Sequence, residues 1–166
     1  MVHHRAGWLN PVFEGLSYAG RLGLLWFVIA LVLSLAYRRW SPLALTVIAI
    51  ALSDWSAMAL KALSDRPRPP LRYAEPKTLV PLPHDGSFPS GHAATSFAAA
   101  TMLSFAFPRL APLLYVLAAA VAFSRVYVGV HYPLDVIGGA ILGVLVALVV
   151  MLLVNARLTR NTQAGG

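Results

Sequence analysis

Three short stretches of the sequence hold basic residues, histidines and a carboxylate at spacings that suit phosphate chemistry. They are "KALSDRPRPP" from residue 61, "PSGHAATSF" from residue 89 and "SRVYVGVHYPLD" from residue 124. Each stretch on its own has an ordinary structural explanation as well as a functional one. We therefore consider what each can do before reading them together.

The first stretch places two cations around a run of prolines. Lys61 closes an apolar block, and Arg68 follows seven residues later between Pro67 and Pro69. A lysine at the end of a membrane helix usually extends its ammonium group to the interface, which would explain Lys61 without any chemistry. The two prolines restrict the backbone around Arg68, so that its planar guanidinium is held where it can bind phosphate oxygens.

The second stretch is typical of a helix start that can bind an anion. Pro89 ends any preceding helix, Ser90 is a favoured N-cap, and an apolar helical pattern follows. The N–H groups of Gly91 and His92 are then free at the positive end of a helix dipole. A simple cap would explain the serine, but it leaves the neighbouring imidazole unexplained.

The third stretch places a histidine and a carboxylate about one turn apart. Ser124 and Arg125 lie near the end of one apolar block, and Pro133 and Asp135 fall in the first turn of the next helix, directly after His131. A nearby carboxylate can accept one imidazole N–H, fix the tautomer and leave the other nitrogen as a base or nucleophile. An acid that merely stabilises the helix dipole would explain Asp135 alone.

The elements that must position these residues are membrane helices. The chain has 58% hydrophobic and only 11% charged residues, unlike a soluble protein. A span needs roughly 20 apolar residues. We predict an all-α, polytopic membrane helical bundle of about five transmembrane helices, near Leu22–Tyr37, Pro42–Leu63, Ala93–Phe107, Leu110–Tyr127 and Leu134–Val154.

The remaining segments complete one predicted domain, residues 1–166, with the motifs in 61–135. Residues 8–20 mix aromatic and polar side chains and suit either a short interfacial helix or a disordered tail. Because connections between spans alternate sides, residues 64–92 and 128–133 share one face, and the three stretches meet there.

Gly139 and Gly143 predict close helix packing within the bundle. Asp54, inside the second block, is expected to form an interhelical hydrogen bond, with a supporting role near Lys61 as the alternative.

Taken together, the three stretches resemble the signature of the type 2 phosphatidic acid phosphatase superfamily, which includes membrane lipid phosphatases and soluble vanadium haloperoxidases. The pattern K-x6-RP, PSGH and SR-x5-H-x3-D is present in order and without departure. The resemblance implies a phosphatase that needs no metal or other cofactor. A haloperoxidase is disfavoured because five membrane blocks leave little soluble scaffold.

The resemblance implies a role for each residue. His131 would be the nucleophile that forms a phosphohistidine, with Asp135 holding its other ring nitrogen, and His92 would be the general acid and then the base. The remaining motif residues would bind the phosphate oxygens: Lys61, Arg68, Ser90, Gly91 and Arg125.

The expected substrate is a lipid phosphate within the bilayer, either a polyprenyl phosphate or diphosphate or a glycerophospholipid phosphate. The net charge of +7 includes no long basic run, so we expect no nucleic acid partner. Homo-oligomerisation has no support in the sequence. The resemblance favours a bacterial cytoplasmic membrane with the site facing outward. Two alternatives stay open: a lipid phosphotransferase with the same site, and a non-catalytic protein that binds or transports lipid phosphates.

Overall fold

The computed structural model describes residues 5–73, 75 and 77–164, without the side chains of residues 22, 158 and 161–164. Within these ranges the chain is helical and has no β-strand. The α-helices described are α1 (Asn10–Ala19), α2 (Leu24–Ala36), α3 (Ser41–Ser64), α4 (Pro69–Arg72), α5 (Gly91–Ala106), α6 (Ala111–Tyr127) and α7 (Pro133–Ala164). The predicted all-α membrane bundle is confirmed.

Each of the five predicted apolar blocks forms a helix, but the helices differ in their capacity to span a bilayer. Three helical stretches are long and apolar enough, namely 41–72, 108–127 and 133–157. A fourth span results if α1 and α2, which are bent by 71°, count as one. Helix α5 has only 16 residues, fewer than the roughly 20 that a span requires.

Helix α5 lies at the centre of the bundle because its side chains are small. Its alanines at 93, 94 and 98–100 are fully buried, and α3, α6 and α7 all pack against it. A methyl group on Gly139 or Gly143 would overlap the carbonyl oxygen of Ser90 or Ala94. The two glycines of α7 therefore pack within the bundle, as predicted, and hold α7 directly against α5.

The first two helices meet at a sharp break that packs onto the rest of the bundle. Gly23 has a φ of 71°, in the left-handed region, and a Cβ there would lie 2.8 Å from Ile50. A Cβ on Gly20 would lie 2.6 Å from Val121 and 3.2 Å from Cδ2 of His92. Residues 10–19 form a helix against α6, so the disordered-tail alternative is wrong.

The long connection between α4 and α5 returns across the end of the bundle through backbone hydrogen bonds. The N–H of Leu79 donates to the carbonyl of Val128 (3.1 Å), and the N–H of Ser87 donates to that of Arg66 (2.8 Å). The N–H of Ser90 donates to the carbonyl of Asp135 (2.9 Å), which joins the start of α5 to the start of α7. These contacts bring the three motif stretches to one place.

Candidate active site

A cavity of about 180 Å³ opens at the end of the bundle where the three stretches meet. Six of the eight predicted site residues line it, and the other two, Ser90 and Asp135, are fully buried outside its lining. The predicted residues in the lining are Lys61, Arg68, Gly91, His92, Arg125 and His131, joined by Gly20, Arg21, Asp54, Pro83, Asp85 and Thr95. The fold thus brings together residues that are up to 111 positions apart along the chain (131 minus 20).

His131 has its two ring nitrogens in different environments. Nε2 lies 3.2 Å from Nη1 of Arg68, and Nδ1 lies 3.4 Å from Oδ2 of Asp135. A guanidinium can only donate, so Nε2 must be the acceptor, and in the neutral ring the proton is on Nδ1, facing Asp135. This tautomer leaves the Nε2 lone pair beside the phosphate-binding cations.

Burial keeps His131 uncharged. The residue is 4% exposed, and burial lowers the pKa of its imidazole from 6.5 to about 4, while the positive charges of Arg68 and Arg125 lower the pKa further and Asp135 opposes the shift. The neutral form, which carries the nucleophilic lone pair, therefore predominates at neutral pH.

Asp135 is held by more partners than the sequence indicated. Its Oδ1 accepts a hydrogen bond from Nη1 of Arg66 (2.7 Å), and its Oδ2 accepts one from the N–H of Tyr132 (2.9 Å). The guanidinium of Arg66 also lies 4.4 Å from the centre of the Tyr132 ring, a cation–π contact. Arg66 is thus a site residue that the sequence analysis missed, although it lies only two positions before Arg68.

Asp85 is a second residue that the analysis missed. Its carboxylate forms ion pairs with Lys61 and with Nη2 of Arg68, the latter at 2.6 Å. Burial raises the pKa of Asp85, but hydrogen bonds and charge interactions with the two cations outweigh that effect and bring the pKa to about 2. An ionised carboxylate therefore pairs with two of the predicted phosphate-binding cations at the cavity.

Backbone carbonyls hold Arg68 independently of the Asp85 carboxylate. Its Nε donates to the carbonyl of Asp85 (2.9 Å) and its Nη1 to the carbonyl of Val130 (3.0 Å). The side chain is only 2% exposed. The guanidinium is thus fixed by a carbonyl of the loop before α5 and by a carbonyl of the loop before α7.

The start of α5 leaves donors free near the cavity. Ser90 is at the N-cap position, but its hydroxyl makes no capping bond, and its buried Oγ has no hydrogen-bond partner among the described residues. Within the same ranges, the N–H groups of Gly91 and His92 have no acceptor. Ser90 thus occupies the predicted N-cap position, but the alternative of a simple side-chain cap does not hold, since its hydroxyl makes no bond to the helix.

Helix α1 contributes Ser17, which contacts two motif residues. Nη1 of Arg125 donates to Oγ of Ser17, and Nε2 of His92 lies 3.1 Å from the Ser17 carbonyl. A carbonyl only accepts, so Nε2 of His92 carries a proton, and Nδ1 is the nitrogen left free to exchange one. No motif marked Ser17, since it lies in the segment that the sequence analysis left as either helix or tail.

Asp54 lines the cavity instead of bonding another helix. Its Oδ1 would lie 3.5 Å from a Cβ on Gly91. In the part of the chain that the structure describes, Asp54 forms no hydrogen bond, so the expected interhelical bond is not made. Nor do the described residues contain a group of three or more His, Cys, Asp or Glu arranged to hold a metal ion.

A family model of the PAP2 superfamily matches residues 42–159, which cover all three motif stretches. The chain belongs to the PAP2 superfamily. Its PAP2 relatives include an undecaprenyl-diphosphatase of Sulfolobus acidocaldarius, 37% identical over 142 residues, with 81% of this chain and 66% of that protein covered. A bacitracin transport permease protein, BcrC, of Bacillus licheniformis is 36% identical, with 63% of this chain and 51% of that protein covered. The match thus spans less than two thirds of either relative.

Two solved PAP2 structures have the same fold over most of their length. LpxE of Aquifex aeolicus superposes with a TM-score of 0.78 and 30% identity, with 90% of this chain and 89% of that chain covered. A transmembrane phosphatidylglycerolphosphate phosphatase of Bacillus subtilis superposes with a TM-score of 0.73 and 28% identity, with 93% and 81% covered. The chain therefore shares its helical fold with LpxE and with a transmembrane PAP2-type phosphatase.

Proposed function

We propose that this protein is an integral membrane lipid phosphatase that cleaves a lipid phosphomonoester or diphosphate through a phosphohistidine at His131. The observation that carries the proposal is the orientation of that ring, with Nε2 beside Arg68 and Nδ1 toward Asp135. The whole chain, residues 1–166, would act as one domain. The three motif stretches in 61–135 would supply its chemistry.

The first chemical step transfers the phosphoryl group to the enzyme. The Nε2 lone pair of His131 attacks phosphorus while the bond from phosphorus to the leaving oxygen breaks. His92, entering this step as the imidazolium, donates its Nδ1 proton to that oxygen and is left neutral with its remaining proton on Nε2. The negative charge on the non-bridging oxygens is offset by Lys61, Arg68 and Arg125, together with Ser90 and the Gly91 amide. These cations take the part that metal ions share in kinases, so we propose a metal-independent reaction.

The second step returns the enzyme to its starting state. Water attacks the phosphorus of the phosphohistidine, His92 accepts a proton from that water, and the N–P bond breaks to release inorganic phosphate and neutral His131. Because the contact with Ser17 keeps a proton on Nε2 of His92, both proton transfers would use Nδ1. A lipid or sugar hydroxyl in place of water would make the same site a phosphotransferase.

The membrane setting and the relatives together favour a lipid substrate. The relatives' names point to undecaprenyl diphosphate and phosphatidylglycerolphosphate, and we propose substrates of these two classes, with no nucleic acid partner. We also propose that the protein lies in a bacterial cytoplasmic membrane with the cavity facing outward. The lipid chain would stay among the helices while its phosphate reaches the cavity.

The direct test is phosphate release from a panel of polyprenyl and glycerolipid phosphates, in detergent with EDTA. We expect release by the wild type and by Arg72→Gln, whose exposed arginine lies outside the linings of the cavities that border His92, and none by His131→Ala. His92→Ala should lose about 10²- to 10⁴-fold in rate, and its residual activity should be most visible on substrates with good leaving groups. Binding of these lipids without phosphate release would overturn the proposal in favour of a binding or transport protein. Release that occurs only when a hydroxyl acceptor is present would indicate a transferase.

A further inference from the structure

Arg21 lines three adjoining cavities at the break between α1 and α2. One is the cavity already described, which Arg21 lines together with Lys61, Arg68 and His131. A second, of about 360 Å³, lies between α1 and the loop at residues 80–84 and also borders His92 and Arg125. The third is a groove of about 400 Å³ between α2 and α3, lined mainly by apolar side chains. Besides Arg21, its lining includes Tyr18, Leu24, Phe27, Val47 and Ile50. Arg21 is therefore a cation at the junction between the cavity that contains the predicted phosphate-binding residues and the apolar groove.

The guanidinium of Arg21 is available to bind a ligand. Its side chain is exposed, and it makes no hydrogen bond or ion pair within the described ranges. By contrast, Lys61 and Arg68 are paired with Asp85, and Arg125 donates to Ser17. The charge of Arg21 is therefore available to pair with an anionic ligand or lipid headgroup at the edge of the groove.

The break holds the backbone around Arg21 on both sides. Gly20 packs against Val121 and the ring of His92, and the left-handed Gly23 packs against Ile50. Neither glycine can be exchanged for a larger residue without displacing these neighbours. The position of Arg21 between the catalytic histidine and the groove is thus set by the fold.

The arrangement of His131, then Arg21, then the apolar groove matches a particular kind of lipid. A substrate with its terminal phosphate at His131 and its chain in the groove passes Arg21 in between. A lipid with one phosphate places an uncharged ester or methylene group there, whereas a lipid with two phosphates in series places an anion there. We propose that Arg21 binds the second, non-scissile phosphate, and that the protein prefers lipids with two phosphates in series, either directly linked or bridged by a short polyol. This inference rests on the proposed phosphatase function.

The test compares matched lipids that differ in the second phosphate. The kcat/KM for phosphate release is measured in mixed micelles with farnesyl diphosphate against farnesyl monophosphate, and with phosphatidylglycerophosphate against phosphatidic acid. We expect Arg21→Gln to lose about tenfold to hundredfold on at least one lipid with two phosphates and less than about threefold on those with one. Arg21→Lys should recover part of the loss. Arg72→Gln, a change of an exposed arginine at the end of α4, should leave all four values unchanged.

The possible results distinguish the role of Arg21 from the phosphatase function on which it rests. A loss confined to the diphosphate, or to the bridged lipid, supports the inference and gives the spacing of the two phosphates. An equal loss on lipids with one and two phosphates, or no loss on any, overturns the role of Arg21 while leaving the phosphatase intact. If the wild type releases phosphate from none of the four, the proposed function itself fails. Size-exclusion profiles and melting temperatures of the variants establish that they are folded.

Discussion

Nη1 of Arg68 lies 3.2 Å from Nε2 of His131, which makes that nitrogen an acceptor and directs its lone pair toward the phosphate-binding cations. Because burial lowers the pKa of His131 to about 4, the neutral ring should persist as the pH falls from 6.5 and should become protonated only near pH 4. We expect ¹⁵N NMR of labelled histidine in detergent to show an Nδ1–H tautomer at neutral pH and a titration midpoint near 4. The signal is assigned by its loss in His131→Gln. A midpoint near 6.5 would show that the ring is not protected from water in this way.

The pair between Arg66 and Asp135 predicts a positioning role for Arg66. With Arg66→Gln, Asp135 loses the 2.7 Å contact to Oδ1, and its hold on the imidazole of His131 is weakened. We expect kcat to fall about tenfold with little change in KM, and partial recovery with Arg66→Lys. Arg72→Gln is the matched control. A rise in KM without a change in kcat would instead assign Arg66 to substrate binding.

The ion pairs of Asp85 predict that this carboxylate competes with phosphate. Asp85→Asn removes a negative charge from between Lys61 and Arg68, while the carbonyls of Asp85 and Val130 still hold Arg68. Inorganic phosphate should then inhibit lipid hydrolysis at concentrations at least about fivefold lower than for the wild type. Asp65→Asn, at an exposed position in the same loop region, should change nothing. Unchanged inhibition in Asp85→Asn would show that the carboxylate does not compete with phosphate, and weaker inhibition would show that it supports phosphate binding.

The contact between Gly143 and α5 predicts an unusual response to alanine. In an open helical position, exchanging glycine for alanine stabilises by about 0.4–1 kcal/mol, and Gly15 is such a position, since a Cβ there would have nothing within 4 Å. At Gly143 the added methyl overlaps the backbone of Ala94, which should cost about 1–3 kcal/mol. Thermal unfolding in detergent should show a lower melting temperature for Gly143→Ala and an equal or higher one for Gly15→Ala. Equal effects at both positions would contradict the close approach of α5 and α7.

The sequence predicted those features that depend on local pattern. Apolar blocks gave the helices, and the alternation of connections across a bilayer placed the three motif stretches on one face. The spacing of His131 and Asp135 within about one helical turn was enough to predict their proximity, which the structure shows as 3.4 Å. The two glycines of α7 predicted close packing because only a small residue permits it.

Features that depend on the path of long connections could not be predicted. Asp85 meets Lys61 and Arg68 only because the proline-rich loop folds back over the end of α3. Ser17 reaches the site only because the chain bends sharply between α1 and α2. Helix α5 has 16 residues and is shorter than a normal span. Most of its side chains are buried against other helices, so its surroundings are mainly protein and not lipid.

A covalent phosphohistidine at His131 can be detected by trapping. The wild type is mixed with a lipid carrying ³²P in its terminal phosphate and is quenched in alkali within milliseconds, because a phosphoramidate survives alkali. We expect a transient label on the wild-type protein that maps to His131 and is absent from His131→Ala. Phosphate release by the wild type with no protein label at any time, or release by His131→Ala at an undiminished rate, would contradict a covalent phosphohistidine at His131.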